Sequence, residues 1–148
     1  MEKFYIITNR SKDRELATTH RIQRYIEQHG GQCIVASDGK CVPKDTECVL
    51  VLGGDGTLIR AARELRACKA PLLGINLGTL GYLTEVEVQN IEQALEQLFE
   101  ETPEIEARMM LKGVLNRGQE DVALNDIVVG RACLLYTSDA ADEGLGVD

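Results

Sequence analysis

Short apolar runs alternate with amphipathic segments along the first hundred residues of the chain. Four compact apolar runs, typical of strands buried on both faces of a sheet, cover 4–7, 33–36, 48–52 and 71–75. Three further segments repeat apolar residues at helical spacing, with stripes running from Leu16 to Ile26, Leu58 to Cys68 and Ile91 to Phe99. Strands that alternate with helices predict a Rossmann-like α/β layer, in which a parallel sheet has helices on both faces.

The pattern changes after Pro103. Apolar runs from Ile105 to Leu115 and from Val122 to Val129 are joined by the polar stretch NRGQED, with no helical segment between them. This arrangement predicts the opening hairpin of a β-rich second domain. We therefore divide the chain into an α/β nucleotide-binding domain over 1–103, the first strands of a truncated β-rich domain over 104–131, and a tail over 132–148.

A glycine-rich turn separates the third apolar run from the second helix. The turn reads Gly53-Gly54-Asp55-Gly56-Thr57, and ligands of open α/β sheets bind beyond the carboxyl ends of strands. We expect its glycines to allow positive φ and close backbone approach, and the helix N-terminus to attract phosphate oxygens. The alternative is an ordinary left-handed turn in which the aspartate caps the helix.

Asp55 distinguishes this turn from a simple anion-binding loop. A carboxylate repels phosphate, so its position makes sense if it has a chemical task. It could accept a proton from an acceptor hydroxyl or hold Mg²⁺ against the phosphates. Neither the P-loop pattern nor the simple dinucleotide fingerprint occurs in the chain.

Two other segments carry candidate ligand contacts. GINLGTLGYLTE at 74–85 follows the fourth apolar run, so we expect Asn76 and Gly78 beside the Asp55 turn. Leu80 and Tyr82 would then be apolar walls for a ring, or, alternatively, core residues of a tight connection. Asn125 and Asp126 interrupt an apolar run, where an unsatisfied buried polar group costs about 1–3 kcal/mol. A ribose diol would satisfy them, and a turn or bulge is the alternative.

Taken together, GGDGT at 53–57, GINLGTLGYLTE at 74–85 and ALNDIVVGR at 123–131 resemble the bacterial-type NAD kinases of the ATP-NAD kinase family. The motifs occur in that family's order, and the resemblance covers residues 1–131. GGDGT alone is shared with diacylglycerol, sphingosine and 6-phosphofructo kinases, so it indicates only phosphoryl transfer. The other two motifs point to NAD.

The resemblance implies phosphorylation of NAD at the 2′-hydroxyl of the adenosine ribose, giving NADP, with ATP or polyphosphate as donor and Mg²⁺. It makes Asp55 the proton acceptor and the pair Asn125 and Asp126 contacts to NAD. No residue is assigned to a metal. The candidate nucleotide-binding residues are Gly53, Gly54, Asp55, Gly56, Thr57, Asn76, Gly78, Tyr82, Asn125 and Asp126. The alternatives are an inactive fragment with weak nucleotide binding and a related lipid kinase.

Composition narrows the class of protein further. With 148 residues, 44% of them hydrophobic, the chain can build one substantial core. Its 16 basic and 24 acidic residues give a net charge of −8, which argues against a nucleic-acid-binding face. Five cysteines without a Cys-x-x-Cys pair, and an amino terminus without a secretion signal, predict a reduced cytoplasmic protein without a membrane partner. The resemblance adds that the intact protein is a homo-oligomer.

The tail differs from the rest of the chain. Residues 132–148 carry four acids and no bases, and CLLYTSDAADE resembles translated sequencing-adapter DNA. The family resembled continues instead through a long β-rich domain with a second glycine- and threonine-rich motif. We therefore expect an amino-terminal part with a non-native end, inactive and poorly folded on its own.

Overall fold

The computed structural model describes residues 1–125 and residue 127. Within them the chain forms seven β-strands, three α-helices and two short 3₁₀ turns. The strands are β1 (Lys3–Thr8), β2 (Gln32–Ala36), β3 (Cys48–Gly53), β4 (Leu72–Asn76), β5 (Val86–Glu87), β6 (Leu111–Val114) and β7 (Glu120–Ala123). The helices are α1 (Ala17–Gln28), α2 (Asp55–Glu64) and α3 (Ile91–Glu100), and the 3₁₀ turns are Arg14–Leu16 and Val88–Asn90.

Five strands form one parallel sheet in the order β2-β1-β3-β4-β5. Because β2 lies on one side of β1 and β3 on the other, the strand order changes direction next to β1. In the register of the sheet, Thr8 lies opposite Leu52, and Gly53 lies opposite Asn76. The carboxyl ends of β1, β3 and β4 therefore meet at one edge, and the β1/β3 boundary is the switch point at which such sheets bind ligands.

Helices cover both faces of this sheet, as the alternation of strands and helices predicted. On one face, Ile6 and Leu50 belong to a cluster that includes Ile22 of α1 and Leu95 of α3. The opposite face holds a second cluster, formed by Tyr5, Ile7, Val49, Val51, Leu58, Ala61 and Leu65 and centred on α2. Successive residues of a strand point to opposite faces, so strands covered on both sides are apolar without interruption.

The connection from β2 to β3 contains no helix. Residues 37–47 connect β2 to β3 as an irregular segment, in agreement with the turn-rich sequence there. The Tyr5 hydroxyl donates a hydrogen bond to the Asp38 carbonyl oxygen at 3.1 Å, and Val42 packs against the second cluster. The segment thus takes the place that a covering helix has elsewhere in the fold.

Asp13 holds the connection between β1 and α1. Its buried carboxylate accepts hydrogen bonds from the backbone N–H groups of Thr18 at 2.9 Å and Thr19 at 3.0 Å, and so caps α1. Between cap and helix, Glu15 and Leu16 have φ of 54° and 56°, a left-handed conformation that costs roughly 1–2 kcal/mol per residue. Burial by itself would raise the pKa of Asp13, but hydrogen bonds from Thr19 and Thr18 outweigh it and hold the pKa below its ordinary value.

The remaining strands form a separate antiparallel hairpin. β6 and β7 pair from Leu111 opposite Ala123 to Val114 opposite Glu120, which fits the predicted start of a β-rich unit. The first strand is shorter than the sequence predicted, because 105–110 is not a strand. The second begins earlier than predicted, inside the polar stretch NRGQED, and positions 126, 128 and 129 of its predicted range lie outside the described residues. Polar residues fit a strand here because the hairpin is largely exposed, and Lys112 pairs with Glu120 across it at 2.8 Å.

Candidate functional site

Three connections meet at the carboxyl edge of the parallel sheet. Asn9 follows β1, Gly54 follows β3, and Leu77 follows β4. The N–H of Asn9 donates to the Leu52 carbonyl at 2.9 Å, and the N–H of Leu77 donates to the Gly53 carbonyl at 2.9 Å. Backbone hydrogen bonds therefore fix the start of each outer connection against β3.

The glycine-rich turn leads directly into α2. Gly54 is extended and precedes Asp55, the first residue of the helix. A Cβ on Gly53 would lie 2.7 Å from the Cβ of Thr57, so only glycine lets the first turn of α2 pack so closely on the end of β3. The expected positive φ is wrong for Gly53, Gly54 and Gly56, since the glycines with positive φ in the described part of the chain are Gly30 and Gly118. Close approach is what the turn requires.

Asp55 faces the connection between β4 and β5. Its carboxylate accepts hydrogen bonds from the backbone N–H groups of Tyr82 at 2.8 Å, Leu83 at 2.9 Å and Thr84 at 3.2 Å. The N–H of Tyr82, followed by that of Leu83, holds the pKa of Asp55 below its ordinary value. The carboxylate is ionised at neutral pH, and its charge is satisfied by the loop. The hydrogen bonds from the loop stabilise the negative charge of Asp55, so a phosphate can lie near the same turn.

Gly81 makes this contact possible. A Cβ at position 81 would lie 2.7 Å from the Cγ of Asp55 and 2.9 Å from the Oγ1 of Thr84. Any larger residue would push the loop away from the carboxylate. The segment from 77 to 85, which we call the β4–β5 loop, is thus fitted to the glycine-rich turn.

The other predicted residues of this loop lie at its tip and at its base. Leu80 is 61% exposed and Tyr82 is 88% exposed, which excludes the alternative that they are core residues. Asn76 is buried at the base, where its Oδ1 accepts a hydrogen bond from the N–H of Gly78 at 3.0 Å. The loop therefore presents Tyr82 to solvent and uses the Asn76 side chain to shape its own backbone.

A polar cleft of about 330 Å³ opens at the β1/β3 switch point. It is lined by Asn9, Lys12, Gly54, Asp55, Gly56, Thr57 and Arg60. The Asn9 amide also reaches the Thr57 hydroxyl at 3.5 Å, which joins the β1 connection to the glycine-rich turn. Two cations and the N-terminus of α2 thus border a space next to Asp55, an arrangement suited to phosphate.

Sequence reasoning missed part of this cleft. Asn9, Lys12 and Arg60 lie outside the three motifs, so the motifs give them no role. The signal for Asn9 and Lys12 is their place after the first strand, but only the strand order puts that strand beside β3.

Asn125 lies apart from this cleft. It is exposed in the bend that follows β7 and is not among the residues that line the cleft. Asp126 lies outside the described residues. The structure therefore brings the glycine-rich turn and the β4–β5 loop together, and does not bring Asn125 to them.

Other features bear less directly on function. A second cleft of about 340 Å³ is more apolar, is lined by residues such as Leu58, Leu83 and Ile105, and includes none of the predicted site residues. In the described part of the chain, no group of three or more His, Cys, Asp or Glu side chains is placed to hold a metal ion. Within the same residues, no helix has the length and apolar character needed to cross a bilayer.

Comparison with known proteins shows which family this chain resembles. Residues 39–103 match the family model described as the ATP-NAD kinase N-terminal domain. The NAD kinase of Lachnospira eligens is 44% identical over 88% of this chain and 50% of its own length. That of Agathobacter rectalis is 46% identical over 88% of this chain and 50% of its own length. This chain is similar to the amino-terminal part of NAD kinases. The resemblance found in the three motifs is thereby confirmed, and the chain spans about half the length of these relatives.

Solved structures agree on the fold. A yeast NADH kinase complexed with NADH aligns with a TM-score of 0.65 and 15% identity, over 83% of this chain and 46% of that one. An NAD kinase from Archaeoglobus fulgidus in complex with ATP aligns with a TM-score of 0.56 and 22% identity, over 66% of this chain and 37% of that one. The match to the NAD kinase family model contains both the glycine-rich turn and the β4–β5 loop, while Asn125 lies beyond it.

Proposed function

We propose that the full-length protein transfers the terminal phosphoryl group of ATP to the 2′-hydroxyl of the adenosine ribose of NAD, giving NADP and ADP. The observation that carries this proposal is Asp55, an ionised carboxylate bordering a cationic cleft at the switch point of the sheet. The similarity to NAD kinases, at 44% identity over most of the chain, supports the choice of NAD as acceptor.

The chemistry follows from the positions of the carboxylate and the cleft. The donor phosphates lie over the N-terminus of α2, and the 2′-hydroxyl oxygen of NAD attacks the terminal phosphorus. As the new P–O bond forms and the bond to ADP breaks, the hydroxyl proton passes to Asp55. Phosphoryl transfer depends mainly on positioning and charge stabilisation, so a rigid turn is the proper place for this residue.

The hydrogen bonds to Asp55 have a definite consequence for this step. Three N–H groups stabilise the ionised carboxylate, so it is deprotonated at neutral pH. They also engage its oxygens, so the 2′-hydroxyl must share the carboxylate with the β4–β5 loop or displace it. In this proposal, acceptor binding is coupled to a shift of that loop.

Roles for the other predicted residues complete the proposal. Gly53, Gly54, Gly56 and Thr57 line the donor side, while Asn76, Gly78 and Tyr82 shape the acceptor side. The pair Asn125 and Asp126 contacts NAD from the second domain, which begins at 104 after an α/β domain over 1–103. The relatives named above are all NAD kinases, so they give the lipid-kinase alternative no support.

Magnesium fits this site only when it is bound together with the phosphates of the donor. Among the described residues, Asp55 is the acidic side chain that lines the cleft, and Mg²⁺ is commonly held by one or two carboxylates together with substrate phosphates. We propose that Mg²⁺ binds the donor phosphates and neutralises their charge there, while Asp55 stays available for the proton. Either ATP or polyphosphate could bring the Mg²⁺ ion into the cleft.

A cytoplasmic homo-oligomer remains our proposal for the intact protein.

Kinetics of the full-length protein test the function. Wild type should form NADP from NAD and Mg-ATP, and Asp55→Asn should lower kcat by about 10²–10⁴ because the proton acceptor is lost. Asp45→Asn is the matched control, since Asp45 is an exposed partner of Lys3 far from the cleft. Asn125→Ala should instead raise the KM for NAD with kcat kept.

Two results would overturn these assignments. Absence of NADP from a folded, full-length wild type would reject the function itself. An Asp55→Asn variant as active as the Asp45→Asn control would remove Asp55 from the mechanism.

A further inference from the structure

Lys12 stands directly over the glycine-rich turn. It belongs to the connection after β1 and lines the polar cleft with Gly54 and Arg60. A Cβ built on Gly54 would lie 3.1 Å from the Nζ of Lys12. The ammonium group therefore lies close to the backbone of the glycine-rich turn.

The charge of Lys12 has no acidic partner among the residues that the structure describes. The carboxylate of Asp55 is engaged by the N–H groups of the β4–β5 loop. The carboxylate of Asp13, the next residue in the chain, is buried at the cap of α1. Both nearby acids are thus turned away from the ammonium group.

The surroundings of Lys12 attract an anion. A helix N-terminus carries partial positive charge, and cations are favoured at the opposite end. Arg60 adds a second positive charge to the same cleft, although it also donates a hydrogen bond to the Ser37 carbonyl at 3.2 Å. An anion lying between Lys12 and the start of α2 would pair with all three positive groups.

We propose that Lys12 binds the phosphate chain of the phosphoryl donor. This inference rests on the proposed function, and it specifies which substrate occupies the cleft. The group being transferred must lie beside Asp55, because that carboxylate takes the acceptor proton. The anion that borders Asp55 and lies over α2 is therefore the donor's chain, and the uncharged ribose hydroxyl approaches from the β4–β5 loop.

The connection that carries Lys12 is held in place for this role. The N–H groups of Lys12 and Asp13 both donate to the Asn9 carbonyl at 3.0 Å. The amide of Asn9 in turn reaches Thr57 in the glycine-rich turn. Because the backbone is already fixed, Lys12 needs only side-chain ordering to engage a phosphate.

The test compares Lys12→Gln and Lys12→Arg variants of the full-length protein with the control Lys44→Gln. Lys44 is exposed in the β2–β3 connection, at the other end of the sheet. Lys12→Gln should raise the KM for ATP roughly tenfold or more, the range of a lost charge-assisted hydrogen bond. The KM for NAD should stay within about twofold. Lys12→Arg should recover part of the loss because it keeps the charge.

Binding measurements separate this inference from the proposed function. Calorimetry with inorganic tripolyphosphate, without NAD, should show weaker binding to Lys12→Gln and a smaller dependence of affinity on salt. If wild type made no NADP, this arm would still decide whether Lys12 holds phosphate. Unchanged tripolyphosphate affinity in Lys12→Gln, or a rise in the KM for NAD alone, would overturn the inference.

Discussion

The parallel sheet and the hairpin differ in what covers them. Leu50, in the middle of the sheet, has no exposed surface, and among the described residues every member of both core clusters precedes residue 100. In the hairpin, Val114 is 61% exposed, and Leu115 beside it is exposed as well. The first region therefore carries its own core, whereas the second presents apolar surface.

This difference also divides the proposed chemistry. Asp55 and Lys12 stand on connections fixed to the covered sheet, where rigid backbone can hold reacting groups in place. Asn125 follows a partly exposed strand and lies beyond the residues that match the family model. Proton transfer and donor binding belong to the first region in our proposal, and part of NAD binding belongs to the second.

The largest expected effect comes from leaving the hairpin uncovered. We expect residues 1–148 to associate in a concentration-dependent way and to form no NADP, because two strands alone are marginal and exposed edges recruit other chains. Residues 1–103, which retain both core clusters, should stay monomeric. Size-exclusion chromatography with light scattering, alongside an NADP assay, compares both with the full-length protein. A monomeric, active 1–148 would contradict the comparison, and an unfolded 1–103 would contradict the domain division.

Truncating one side chain in each region gives the next largest effect. In the full-length protein, Leu50→Ala should lower the free energy of unfolding by about 2–5 kcal/mol, because it leaves a cavity between covered faces. Val114→Ala should cost less than about 0.5 kcal/mol if the side chain stays exposed there. Denaturant unfolding measures both. A cost above 1 kcal/mol for Val114→Ala would show that the rest of the chain covers the hairpin.

Sequence pattern was most informative where burial is most complete. The continuous apolar runs around Ile6 and Leu50 predicted buried parallel strands, because such strands have no polar face. The first strand of the exposed hairpin was predicted too long, since apolar residues such as Ile105 and Met109 stand in irregular backbone. Where an element is buried, the spacing of its apolar residues must match the geometry of that element. Exposed segments lack that constraint.

The candidate site shows the same limit. The motif containing Asp55 predicted the turn, but not the three hydrogen bonds that turn its carboxylate toward the β4–β5 loop. Lys12 could not be placed because its neighbour in space lies some forty residues away along the chain. Only the strand order, which sets β1 beside β3, makes that contact visible.

A moderate effect is expected from the buried cap of α1. Asp13→Asn should lower the free energy of unfolding by about 0.5–2 kcal/mol at neutral pH, as loss of a helix cap does. The folded-state pKa of Asp13 lies below its ordinary value, so its contribution is present above the unfolded pKa and is lost as pH falls through the folded one. Unfolding from pH 7 down to pH 2 should show wild type and variant converging. A constant gap would mean that ionisation of Asp13 plays no part.

The smallest effect concerns the contact between the two regions. Arg63 of α2 donates hydrogen bonds to both carboxylate oxygens of Asp121 in β7, at 2.7 and 2.6 Å. Both side chains are substantially exposed, so water and salt screen the pair, and such pairs contribute at most about 1 kcal/mol. A double-mutant cycle with Arg63→Ala and Asp121→Ala should give a coupling below that value, which decreases further at high salt. A larger, salt-insensitive coupling would mean that the hairpin is firmly docked on α2. The exposed region would then be part of the folded unit, and the contrast between sheet and hairpin would have to be abandoned.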